Sequence, residues 1–169
     1  MTEFHIGDQQ ADSIQNAENI YNFGPAAESA ASHRARARVA LAARDYAAVA
    51  RHAAAALAVR PDDATAHFYA ALAALRGVHP DRHPTRRTDE VLRRLVAATR
   101  LEPRCGHTKV LALIVNEGLL LRTGRASRAV TEDTRHLIAT LDPAIGREIL
   151  SHTPVPESAV WQHLALHLR

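Results

Sequence analysis

The sequence predicts an all-α fold: antiparallel helical hairpins stacked into a short solenoid, with a non-helical segment at the N-terminus. Three observations lead there. Arg44–Asp63, RDYAAVARHAAAALAVRPDD, reads as about four turns of Ala-rich helix with no Gly or Pro inside, and Ala, Leu and Arg are among the best helix formers. It stops at Arg60, because Pro61 disfavours helical dihedrals in the residue before it. Second, ALAVRPDD (56–63) and ATRLEPRC (98–105) align as a helix end, a proline and a polar pair, with the two prolines 42 residues apart. Third, the chain is 47% apolar but only 4% aromatic. Much of the apolar share is Ala, which suits helices packed closely through small side chains.

The 169 residues fit one domain with an appended segment. Residues 1–25 differ from the rest. They hold six of the eight Asn and Gln residues, with Phe4, Ile6, Ile14, Ile20, Tyr21 and Phe23 standing singly between them and glycines at 7 and 24. Phe4 and Ile6 alternate around His5, and no 3.6-residue period follows. Such a mixture buries too little surface to fold alone. Short Asn- and Gln-bearing pieces can instead stack across many chains, with amide ladders and interdigitated apolar residues.

Residues 26–169 read as the helical domain. A first helix is expected over Ala26–Ala43, with Ser29 or Ser32 as cap, and a second over Tyr46–Val59. Asp62 and Asp63 stand where they can cap the next helix, residues 64–76, which Gly77 closes. The prolines and histidines of residues 78–87 mark a loop, and Thr88 is the expected cap of a helix that ends before Pro103. Residues 107–124 form an apolar helix, in which Gly118 marks close packing. Its partner spans residues 126–141, and a short helix follows near Ala144–Leu150. The last helix carries Val160, Trp161, Leu164 and Leu168 on one stripe, as a helix that caps an open solenoid end does.

Removing a loop of about eight residues around Val78–Arg87 restores the roughly 34-residue period of the tetratricopeptide repeat. Aligned on Pro61, residues 30–141 resemble that family. Asp45–Tyr46 matches the turn before the second helix, and Ala37, Ala56, Ala71 and Ala98 take the small positions. His33 and Arg36, then His67 and Ala70, stand where the family has Trp and Leu. The resemblance implies a groove lined by Arg34, Arg38, Leu41, Phe68, Leu72 and Arg76. Of these, Arg34, Arg38, Phe68, Leu72 and Arg76 are the expected partner-binding set, since Arg forks match the carboxylates of an acidic peptide. At the N-terminus, residues 4–24 loosely resemble bacterial amyloid-signalling sequences related to the RIP homotypic interaction motif. The tetrad would be Phe4–His5–Ile6–Gly7, with Phe4 and His5 departing from the pattern. This implies an assembly motif of Phe4, Ile6, Gly7, Ile14 and Ile20, joining copies of the chain or a partner with a matching motif.

Charge bounds the partners. Residues 1–33 contain five acids and no Lys or Arg, which leaves 21 basic against 13 acidic residues in the remainder. A basic body attracts nucleic acid or an acidic protein. The arginines read as scattered and no helix-turn-helix stands out, so nucleic acid ranks second. Cys105 is the only cysteine, which excludes an intramolecular disulfide and fits a reducing cytoplasm. The first residues lack the basic and apolar regions of a secretory signal, and no apolar run reaches the length of a membrane span.

No phosphate-binding Gly-rich loop, His-Glu-x-x-His or Gly-x-Ser-x-Gly occurs. His79 and His83 flank Asp81 in a loop that does not fix their rings. His163 and His167 lie one helical turn apart and read as a solvated face. Cys105 and His107 form a weak nucleophile–base pair. The expectation is a cytoplasmic, non-enzymatic adaptor or scaffold without cofactor or metal.

Overall fold

A computed structural model describes residues 28–124 and 129–169. The expected assembly motif, Phe4, Ile6, Gly7, Ile14 and Ile20, lies outside the described residues, as do the beginning of the expected first helix and residues 126–128 of the expected 126–141 helix. The described residues form eight α-helices and one 3-10 turn, with no strand among them.

Side-chain caps set most helix starts. Helix α1 (Ala30–Ala42) begins where Ser29 Oγ accepts from the Ser32 amide at 3.1 Å. The Asp45 carboxylate caps α2 (Tyr46–Val59), accepting from the Ala48 amide at 2.9 Å. Asp63, only 3% exposed, does the same for α3 (Ala64–Leu75) through the Ala66 amide. Each of these interactions satisfies a donor that the helix cannot pair itself. The bounds of α2 are those the sequence predicts. Helix α3 ends in two left-handed residues, Arg76 (φ 52) and then Gly77 (φ 66).

After the 3-10 turn Pro80–Arg82 comes α4 (Thr85–Leu101). It starts three residues before the expected cap, Thr88. Pro84 takes the cap position, and the buried Thr88 hydroxyl instead donates to the Thr85 carbonyl at 2.9 Å. Helix α5 spans Gly106–Arg122. Helix α6 is only Glu132–Ala139, shorter than expected, because Thr131 caps it through the Thr134 amide at 3.2 Å. Helices α7 (Pro143–His152) and α8 (Ala159–His167) complete the described chain.

From α1 to α5 each helix packs on the next, and α1 also meets α3, as α3 meets α5. These three therefore share one face of the stack, with α2 and α4 on the other. Ala37, Ala56, Ala71 and Ala98 are all fully buried, and larger side chains such as Leu41, Phe68, Leu72 and Ile114 fill the core between layers. Small residues at the contacts let helix axes approach closely.

Helix α7 turns back onto the shared face of α1, α3 and α5. It packs on α3 and α5, and Glu148 accepts from Arg38 of α1 at 2.7 Å. At its C-terminal end His152 Nδ1 lies 3.0 Å from the Tyr46 hydroxyl at the start of α2. Helix α8 is pinned by the buried Glu117 of α5, which accepts from the Ser158 hydroxyl and from the Val160 amide. Gly118, next to it, leaves room for Pro80 and Val155, either of which an added Cβ would meet at 3.3 Å.

Candidate binding surface

The face that carries α2, α4 and α6 holds two successive grooves, with α4 as their common wall. In the first, of about 570 Å³, α3 is the floor between α2 and α4. Alanines line it: Ala47, Ala50, Ala54 and Ala58 on α2, and Ala70, Ala73 and Ala74 on α3. Arg76, Arg87 and Arg94 stand on its rim with a single acid, Glu90. Arg94 donates to Glu90 at 2.8 Å, and that hydrogen bond and charge hold the Glu90 carboxyl below its usual range. Arg76 and Arg87 have no acid at ion-pair distance among the described residues. A guanidinium beside an apolar floor presents several donors at little desolvation cost, the arrangement that accepts carboxylates.

The second groove, of about 610 Å³, lies between α4 and α6 over α5. Leu92, Val96, Ala112, Leu113 and Leu137 make it apolar, with Thr99, Arg100 and Lys109 toward one end.

The structure does not bring the expected partner-binding set together. Phe68 and Leu72 are 1% and 0% exposed and belong to the core, where the Phe68 ring meets Tyr69 and His107 edge to face. Arg34 is paired with the Asp63 carboxylate at 2.7 Å, and Arg38 with Glu148. Helix α7 occupies the face that the expected groove would have used. Burial, and then the Glu148 charge, push the Tyr69 phenol on that face up to about 12. Of the five residues only Arg76 lies on an open groove, and on a different one. Arg87, Arg94 and the alanine floor escaped the sequence reading. The spacing of Ala47, Ala50, Ala54 and Ala58 was the available signal: a second small-residue stripe on a helix whose core stripe is Val49, Ala53 and Ala56.

Among the other residues considered from sequence, Cys105, His107, His83 and His79 have defined surroundings. Cys105 Sγ lies 3.0 Å from His107 Nε2, but burial raises the thiol pKa and lowers the imidazole to about 4. Both are neutral at pH 7, so the pair is not a thiolate with an imidazolium. His83 points inward, with Nε2 2.8 Å from the Leu75 carbonyl oxygen. His79 lies between Asp81 and Glu157, at 2.5 and 3.5 Å. No three His, Cys, Asp or Glu side chains converge on a metal-sized site among the described residues. Nor is any described helix long and apolar enough to cross a membrane. No protein-family model, curated protein or solved structure matches the chain.

Proposed function

We propose that the chain is a non-enzymatic adaptor, a tetratricopeptide-like helical body that holds an acidic segment of another protein in the groove between α2 and α4. The observation that carries this is the rim itself: three arginines against one glutamate over an alanine floor. The stacking of α1 to α5, and the burial of the four alanines at the family's small positions, support the repeat reading. The N-terminal motif adds assembly with matching motifs. One observation favours nucleic acid as a second reading. Arg86, Arg93 and Arg100 are exposed along α4 at seven-residue spacing, covering about 21 Å of helix.

The test is fluorescence anisotropy of the full chain with a labelled Asp/Glu-rich peptide, its Asn/Gln counterpart and a short duplex DNA. The acidic peptide should bind with strong salt dependence and the neutral one should not. Changing both the exposed Arg76→Glu and the half-buried Arg87→Glu should weaken peptide binding at least about tenfold and leave the melting temperature nearly unchanged, because neither arginine has an ion-pair partner among the described residues and charges at a surface add little stability. Equal binding of the two peptides would end the adaptor reading. DNA binding lost on changing Arg86, Arg93 and Arg100 to Glu would establish the second reading instead.

A further inference from the structure

The groove between α4 and α6 fits an apolar occupant that also carries negative charge. Leu92 and Val96 form one wall, Leu113 the floor and Leu137 the far side. Val96 is left 48% exposed. Arg100 and Lys109 at one end have no acid at ion-pair distance among the described residues.

The residues before Glu28 have both properties. Phe4, Ile6 and Ile14 stand singly among polar residues, and Glu3, Asp8, Asp12 and Glu18 are unopposed by any Lys or Arg. The chain also enters the body at the end where the two cations stand. Ala30 packs with Ala56 and Ala66, and Arg34 pairs with Asp63. Ala64 in turn packs with Ala98 and Cys105, beside Thr99 and Arg100. From Glu28 to the groove is therefore about three helix spacings, or roughly 30 Å. About nine residues of extended chain cover that distance. The stretch from Phe4 to Ile14 reaches the groove with slack, whereas Phe23 falls short of it.

We propose that residues 4–14 dock in the groove between α4 and α6 of the same molecule. Their apolar side chains lie against Leu92, Val96 and Leu113, and their acids face Arg100 and Lys109. This groove is separate from the one assigned to an acidic partner. Docking covers Phe4 and Ile6, so it competes with assembly through the Phe4–Gly7 tetrad.

Photo-crosslinking of the full chain tests this, with benzoylphenylalanine replacing the half-exposed Val96. Residues 1–33 contain no Lys or Arg, so trypsin releases residues 1–34 as one peptide. In the monomer the cross-link should map to that peptide, within residues 4–14. The same probe at Arg51, exposed on α2, should give several-fold less. Ile6→Asp with Ile14→Asp should cut the yield about tenfold, and Arg100→Glu with Lys109→Glu severalfold, with the helical circular dichroism unchanged. Cross-links to another segment, to a second chain, or insensitive to the Asp changes would overturn the proposal. Because the readout never involves the acidic probe peptide, its failure leaves the α2–α4 groove untouched.

Discussion

Arg44 (φ 57) and Arg76 (φ 52) hold a left-handed backbone that a residue with a Cβ adopts at about 1 kcal/mol or more. Each closes a turn, Arg44 donating its amide to the Leu41 carbonyl at 2.9 Å and Arg76 donating to that of Leu72 at 3.1 Å. Gly77 could not exchange roles with Arg76, since a Cβ there would collide with the Tyr46 hydroxyl. Glycine should relieve the backbone at both arginines. Arg76→Gly is expected to raise stability by up to about 1 kcal/mol, yet weaken acidic-peptide binding, because it removes a rim guanidinium. Arg44→Gly should give the same relief with binding intact. Urea titration and anisotropy on the two variants separate the effects, and unchanged binding by Arg76→Gly would remove Arg76 from the site. At this scale the sequence located Arg76 on the surface but misplaced Phe68 and Leu72. Helical periodicity says which residues share a face; it does not say whether another helix covers that face.

At the scale of the element, Asp63 joins two jobs. One carboxylate oxygen caps α3 through the Ala66 amide at 2.9 Å, and the other accepts from Arg34 of α1 at 2.7 Å. The first interaction was legible in PDD before an Ala-rich run. The second was not, since its partner lies 29 residues earlier. Asp63→Asn keeps a capping oxygen and loses the ion pair, and should cost about 1 kcal/mol; Asp63→Ala loses both and should cost about 2 to 3 kcal/mol. Equal losses in urea denaturation would mean that the cap adds nothing. Local signals set the bounds of α2, where Asp45 and Pro61 act within a residue or two of the helix. They failed at α4, where Pro84 supplied a start that needs no side-chain cap, and at α6, where Thr131 capped the chain later than its apolar pattern began.

For the whole molecule, the return of α7 decides how the hairpins behave together. In a plain stack each unit touches only its neighbours, so stability is a sum of local terms and the ends open first. Here one helix touches α3 and α5, reaches α1 through Arg38–Glu148, and reaches α2 through Tyr46–His152. Nothing local in the sequence announces that return, because it rests on pairs 110 and 106 residues apart. Urea unfolding followed by Trp161 fluorescence in α8 and by far-ultraviolet circular dichroism should give coincident transitions. Tyr46→Phe combined with Glu148→Gln should separate them, with α1 and α2 opening first. Separate transitions in the unaltered chain would show that the hairpins melt independently. A belt that spans three hairpins also removes any distinction between near and far. Because α8 packs on α7 and α7 reaches α2, filling the groove at α2 is expected to tighten α8 as well, so that binding energy spent at one end is felt as rigidity along the whole length.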